Sequence, residues 1–171
     1  ATELFWTGRA ICAPEITVAE ARLFERSTGR RPLYWDNFPV NDVAMTGELH
    51  IGPYLGRDAG LADAATGIFS NPMPLAESSK IGLYCIAEFC KDPRGFDAEA
   101  SWERALLRVA GERDVKDVRE FADAVRGSAL CVDDAPRLGA HLERFAFDYQ
   151  FGDAARAVQE LRVELARLAE V

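Results

Sequence analysis

The sequence predicts an α/β first half followed by an all-α second half. Seven of the eight prolines and most aromatic residues lie in residues 1–95, where apolar segments of strand and helix character alternate. Residues 96–171 are instead rich in Ala, Leu, Arg and Glu, with apolar residues at helical spacing. We therefore expect two units, 1–95 and 96–171. Alternation in the first favours parallel strands joined by right-handed crossovers.

Three short apolar segments predict the strands, at residues 4–6, 33–35 and 67–70. Each stops at polar or turn-forming residues, such as Thr7 with Gly8 after the first strand and Asn71 before a proline after the third. Three strands alone leave sheet edges unpaired. The chain therefore either joins other strands or forms a small open sheet.

Helices are predicted between and after these strands. The first begins at Thr17 and Glu20, which have the spacing of a capping box, and Gly29 suits its end. A short helix is expected over 58–65 and a longer apolar helix over 78–90. In the second half we expect helices near 99–110, 114–126, 134–147 and 153–169, which together predict a helical bundle.

The composition disfavours several classes of partner and location. The net charge of -8 disfavours nucleic acid and an anionic membrane surface as partners. No apolar run approaches the ~20 residues of a membrane span. No signal peptide pattern is visible, so a cytoplasmic location is expected, with secretion after removal of a signal peptide as the alternative. The chain starts with Ala1 and enters a strand pattern almost at once, which favours a start within a domain.

The cysteines and histidines show no metal-binding pattern. The four cysteines form no CxxC pair and are expected to be buried free thiols, with Cys85 and Cys90 in one apolar run. His50 and His141 lie far apart and are expected to be structural or surface residues. We therefore expect no metal and no cofactor.

Polar residues follow the second and third predicted strands. Trp35, Asn37 and Asp42 come at the end of one, and Asn71 at the end of the other. Carboxyl ends of parallel strands meet at one edge, where α/β barrels bind their substrates. An indole face, amides and a carboxylate suit a neutral sugar. The alternative is that these residues form turns and helix caps.

A series of motifs makes the sugar hypothesis more specific. It runs from FWTG at 5–8 and ITV at 16–18 through GRRPLYWDNFPVND at 29–42, LHIGPYLGR at 49–57, GIFSNPM at 67–73 and SWERAL at 101–106. Over roughly residues 4–107 this series resembles glycoside hydrolase family 84, the family of O-GlcNAcase and bacterial β-N-acetylglucosaminidases. Beyond residue 110 the sequence shares the helical character of the domain that follows the family's barrel, but no motif.

The resemblance implies a fold and site roles. The fold would be the last three βα units of a (β/α)8 TIM barrel, followed by an all-α helical bundle domain. Asp42 would bind the 4- and 6-hydroxyls of a terminal N-acetylglucosamine, and Asn71 its ring hydroxyls. Asn37 would position the sugar near its reacting side, and Trp35 would wall the N-acetyl pocket. Tyr54 and Arg57, which lie in the same motifs, are expected to be scaffold, although a site role is open.

The resemblance also implies retaining, substrate-assisted hydrolysis of β-linked N-acetylglucosamine from proteins or glycans, with an Asp-Asp pair doing the proton transfers. That pair belongs to an earlier barrel strand, so no catalytic residue is assigned to this chain. Asp133 and Asp134 lie in the helical half and are better explained as a helix N-cap. The expected partner is the missing N-terminal part of the barrel, and the chain alone should be inactive.

Two alternatives to a hydrolase remain. A non-catalytic carbohydrate-binding module would keep the pocket residues and work without the acids. A helical interaction module would use the apolar stripes of the late helices, although such stripes more often pack a core.

Overall fold

A computed structural model describes residues 2–42, 49–124 and 126. Its sheet has three parallel strands in the order β1-β2-β3: β1 (Phe5–Trp6), β2 (Leu33–Pro39) and β3 (Gly67–Asn71). Its helices are α1 (Val18–Thr28), α2 (Leu61–Ala64), α3 (Ala76–Lys91) and α4 (Ala98–Ala124). The predicted alternation and the parallel pairing are confirmed.

Local sequence signals determine both ends of α1. The Thr17 hydroxyl accepts from the Glu20 amide, and the Glu20 carboxylate accepts from the Thr17 amide, both at 3.3 Å. Gly29 closes the helix at φ 72°, a left-handed conformation that costs glycine little. The predicted capping box and helix end are confirmed.

The short helix α2 begins three residues later than predicted. Arg57 forms an isolated parallel bridge with Ile16, and the Asp58 amide donates to the Ile16 carbonyl at 3.1 Å. The Asp58 carboxylate also accepts from the Val18 amide at 2.9 Å, next to the start of α1. Residues 57–58 therefore stay extended, and the helix starts only at Leu61.

Helix α4 consists of two helical stretches. Gly111 interrupts it at φ 78° and ψ 165°, which separates 98–110 from 112–124. The predicted helices at 99–110 and 114–126 correspond to these stretches. The predicted helices at 134–147 and 153–169, and therefore the bundle, lie outside the described residues.

Two apolar clusters hold the fold together. The smaller one packs β1 and β2 against α1 and α2, with Tyr34 fully buried at its centre. The larger one joins α3, α4 and the loop before residue 55. Trp102 lies fully buried there, and its indole N–H donates to the Ile51 carbonyl at 2.8 Å. Helix α4 therefore shares a core with α3, while the division between units near residue 95 stays a prediction.

The other face of the sheet carries exposed aromatic rings. Trp35 is 42% exposed, whereas its strand neighbour Tyr34 is fully buried, because successive side chains point to opposite faces. Phe5 makes edge contacts with Trp35 and Phe69, with ring centroids 6.0 and 5.5 Å apart. This uncovered aromatic face leads toward the carboxyl ends of β2 and β3.

The cysteine expectation was only partly right. Cys85 is buried, but Cys12 and Cys90 are exposed, and Cys131 lies outside the described residues. Five residues at ~100° each place Cys90 about 140° around α3 from Cys85, so both cannot face the core. His50 is buried and stacks on Phe38, with centroids 5.9 Å apart.

Two kinds of feature are absent from the part of the chain that the structure describes. No helix there is long and apolar enough to cross a membrane. Within the same residues, no group of three or more His, Cys, Asp or Glu side chains could hold a metal ion.

Candidate functional site

The Asn37 side chain lies at the centre of a polar group at the end of the sheet. Its Oδ1 accepts two hydrogen bonds, from the Trp35 indole Nε1 and from Asn71 Nδ2, each at 3.0 Å. Its Nδ2 donates to the Ile11 carbonyl at 2.7 Å. Three of the four side chains expected in the site are therefore in direct contact.

Strand pairing explains why these three side chains meet. Trp35 and Asn37 are two residues apart in β2, so they share a face of the sheet. In the β2–β3 ladder the register shifts after Asp36 pairs with Ser70, and Asn71 then lies opposite Pro39. This irregularity brings the Asn71 amide to the Asn37 oxygen at the carboxyl ends of both strands.

The group keeps unused hydrogen-bonding capacity. Each amide has two donor hydrogens and an acceptor oxygen. Among the described residues, one N–H of Asn37 stays unused, and Asn71 keeps one N–H and its Oδ1. The only donor of Trp35, its indole N–H, already binds Asn37, so Trp35 can contact a ligand only through its ring. The arrangement can therefore hold hydroxyl groups beside an apolar surface.

Asp42 is not joined to this group by any contact among the described residues. It is exposed and lies three positions beyond the end of β2, just before the undescribed segment 43–48. Among the described residues, it takes no part in the hydrogen bonds that join Trp35, Asn37 and Asn71. Its membership of the site stays a prediction.

A second polar cluster lies on the opposite side of β2, and sequence reasoning missed its centre. Arg57 forms a two-pronged ion pair with Asp36, Nη2 to Oδ1 at 2.6 Å and Nε to Oδ2 at 2.9 Å. The Tyr54 hydroxyl donates to the same Oδ2 at 2.6 Å. We call Asp36, Tyr54 and Arg57 the Asp36 cluster. Two of its members were expected to be scaffold, and their bonds to Asp36 agree with that role.

Burial makes the electrostatics of this cluster strong. The Asp36 and Arg57 side chains are only 2% and 7% exposed. Burial works against the charge on Arg57, but hydrogen bonds to Asp36 and its negative charge outweigh it and raise the Arg57 pKa. Burial, with the nearby Asp36 charge, raises the pKa of Tyr54, so the phenol stays a neutral donor. Asp36 and Arg57 therefore stay charged and paired, with Tyr54 as a neutral hydrogen-bond donor to the pair.

One signal in the sequence could have indicated Asp36. Had the predicted strand been extended from Trp35 to Asn37, as in β2, Asp36 would have faced the side of Tyr34, where a carboxylate needs a positively charged or hydrogen-bonding partner. The partner could not be read from spacing, because Arg57 is 21 residues away in a loop without periodicity.

Comparisons with known proteins agree with the motifs. The family model for β-N-acetylglucosaminidase (NAGidase) matches residues 1–123. The proteins named Protein O-GlcNAcase from Rattus norvegicus and from Mus musculus are each 30% identical over 89 residues. That match covers 52% of this chain and 10% of each relative, so the chain spans about a tenth of their length.

Two solved structures show the same fold. A mutant of the Thermobaculum terrenum O-GlcNAc hydrolase is 31% identical, with a TM-score of 0.72, over 97% of this chain and 37% of that chain. CpGH84B is 19% identical, with a TM-score of 0.74, over 98% of this chain and 34% of that chain. The neighbours are TIM-barrel enzymes, and a parallel sheet with crossover helices is consistent with part of such a barrel.

The family model covers well over half of the chain, and it extends beyond the region over which the motifs alone show the resemblance. The resemblance to this family is therefore confirmed. The chain belongs to the β-N-acetylglucosaminidase family, glycoside hydrolase family 84.

Proposed function

We propose that this chain supplies the sugar-binding part of a β-N-acetylglucosaminidase that removes terminal β-linked N-acetylglucosamine from proteins or glycans. The observation that carries the proposal is the hydrogen-bonded group of Trp35, Asn37 and Asn71 at the strand ends. Its unused amide atoms suit hydroxyls, and its indole suits the apolar side of a sugar. Asp42 would add a charged acceptor to this group.

In this proposal the three strands are the last three βα units of a (β/α)8 barrel. Both β1 and β3 are edge strands of the described sheet, and the aromatic face of Phe5, Trp35 and Phe69 is uncovered. The other five units, from elsewhere in the complete protein, would pair with these edges and close the barrel around this face, with the Trp35 ring left open to the sugar. A helical domain, predicted from the sequence over residues 96–171, would follow the barrel.

The reaction would use the substrate's own acetamide as the nucleophile. Its oxygen attacks the anomeric carbon while the glycosidic bond breaks, which forms an oxazoline that water then opens with net retention. This differs from the retaining scheme with a protein nucleophile. Two aspartates from an earlier barrel strand would move the protons. The residues of this chain would hold the sugar and exclude a wrong orientation, which is the positioning contribution to catalysis.

The first experiment is hydrolysis of a chromogenic β-N-acetylglucosaminide by the full-length product of the gene, beside the 171-residue chain. Release of the chromophore by the full-length product alone is expected. Binding of N-acetylglucosamine without hydrolysis by the full-length product would instead support the non-catalytic carbohydrate-binding alternative.

The site assignment needs variants of the full-length product. Asp42→Ala should weaken N-acetylglucosamine binding by more than ~2 kcal/mol, because a charge-assisted acceptor is lost. Asn71→Ala should also weaken it, by about 1 kcal/mol for a neutral bond. Asp97→Ala is the matched control, since this exposed carboxylate caps α4 by accepting from the Ala100 amide at 3.0 Å. Unchanged kinetics in the Asp42 variant would remove that residue from the site.

A further inference from the structure

The segment 11–14 is held from two sides. The Ile11 carbonyl accepts from Asn37 Nδ2 at 2.7 Å. From the other side, Arg57 Nη2 donates to the Ala13 carbonyl at 3.4 Å and Nη1 to the Pro14 carbonyl at 3.3 Å. The acceptor that orients the Asn37 amide therefore belongs to a segment that Arg57 also fixes.

The strand that carries Asn37 is fixed by the same side chain. Asp36 lies between Trp35 and Asn37 in β2, and both of its carboxylate oxygens bind Arg57 beneath the sheet. The Arg57 guanidinium therefore holds two elements at once. One is strand β2, from which the Asn37 side chain extends, and the other is the segment 11–14, to which the Asn37 amide donates. Arg57 Nη1 adds the Leu55 carbonyl at 2.6 Å, so the loop that bears Arg57 is fixed as well.

We propose that the Asp36 cluster is a positioning device for the sugar site, and that it sets the orientation of the Asn37 amide toward the substrate. This rests on the proposed function. If the Asn37 amide rotated by half a turn, its nitrogen would face the Trp35 and Asn71 donors, and its oxygen would face the Ile11 carbonyl. The Trp35 and Asn71 donors disfavour that orientation, and the fixed Ile11 carbonyl disfavours it further, which leaves one N–H of Asn37 for the substrate.

The chemistry of the cluster supports a geometric role. A buried ion pair is often no more stabilising than apolar residues of the same volume, because both charges lose their hydration. The planar guanidinium instead provides a rigid fork that a lysine cannot reproduce. Arg57→Lys keeps the positive charge but removes the two-pronged geometry of the guanidinium. The variant therefore tests the positioning role while the charge is unchanged.

The test is a double-mutant cycle on kcat/KM of the full-length product with a chromogenic β-N-acetylglucosaminide. Arg57→Lys should lower kcat/KM about 10- to 100-fold, since small misplacements of positioning groups have effects of this size. In an Asn37→Ala background the same change should lower it by no more than about twofold, because the two residues act through one amide. The matched control is Arg104→Lys. Arg104 forms the same two-pronged pair with Glu88 on an exposed surface, and its variant should leave kcat/KM unchanged.

A general loss of folding would reduce activity equally in both backgrounds. Full multiplicative effects of Arg57→Lys and Asn37→Ala would therefore overturn the inference. A crystal structure of the Arg57→Lys variant gives a readout that needs no activity. It should show the 2.7 Å bond between Asn37 and Ile11 broken, and an intact bond with the same amide orientation would overturn the inference. If the wild-type product does not hydrolyse the substrate, the proposed function fails, and this structure still decides the positioning role.

Discussion

Removing the Arg57 side chain should destabilise the protein far more than removing an equally well-bonded exposed arginine. Arg57→Ala leaves the Asp36 carboxylate, only 2% exposed, with the Tyr54 hydroxyl as its remaining described side-chain partner. Breaking a buried ion pair by removing one partner costs about 3–5 kcal/mol. We expect a loss of that size in the free energy of unfolding.

The matched control is Arg104→Ala. Arg104 binds both oxygens of Glu88, at 3.1 and 2.6 Å, but the two side chains are 51% and 27% exposed. Water can replace those bonds, so the loss should be small beside that of Arg57→Ala. Asp36→Leu combined with Arg57→Met removes both buried charges and should recover most of the stability that Arg57→Ala loses.

The assay is urea unfolding of the full-length product, followed by tryptophan fluorescence and repeated for each variant. The reasoning depends on the difference between the buried and the exposed pair. Equal losses for Arg57→Ala and Arg104→Ala would refute it. So would a double variant that is less stable than Arg57→Ala alone, because that result would show that the ion pair itself is strongly stabilising.

Three other predictions can be checked by the same unfolding measurements. Trp102→Ala should cost about 3–5 kcal/mol, because it leaves a large cavity in the α3–α4 core, and Trp102→Phe should cost clearly less. Gly56→Ala should cost more than Gly29→Ala, since both have positive φ but only at Gly56 would the new Cβ lie 2.3 Å from a backbone oxygen; equal costs would contradict this. The hydrogen bond from Arg104 lowers the pKa of Glu88 to about 2, so the stability that this pair adds should be present above pH ~4.5 and be lost as the pH falls through 2. Arg104→Gln should therefore be slightly less stable than wild type at pH 7, since the pair is exposed, and equal to it below pH 2.

Much of the fold could be predicted because its signals are local. The capping box of α1 needs only Thr17 and Glu20, three residues apart, and the end of α1 needs only Gly29. The interruption of α4 at Gly111 could be placed in the same way. The start of α2 could not, because it depends on the pairing of residue 57 with residue 16, a contact between segments that are distant in the sequence.

In the candidate site, too, features with a local sequence signal could be predicted, and features that depend on distant contacts could not. The strand ends predicted that Trp35, Asn37, Asp42 and Asn71 would gather. Trp35, Asn37 and Asn71 are in contact, and the place of Asp42 stays a prediction. Neither the register shift that brings Asn71 to its partner nor the choice of Arg57 as the partner of Asp36 has a local signature. Both depend on how the loop after β2 returns to the sheet.

The tether on the Trp35 indole has a consequence for affinity. A large side chain that is mobile before binding loses rotational freedom when a ligand settles on it, at a cost of about 0.5–1.5 kcal/mol. Here the ring is already restrained by its single N–H and by the edge of a neighbouring phenyl group. A sugar that binds against this ring would contact a side chain that is already ordered, so binding would lose little free energy to restricting the ring.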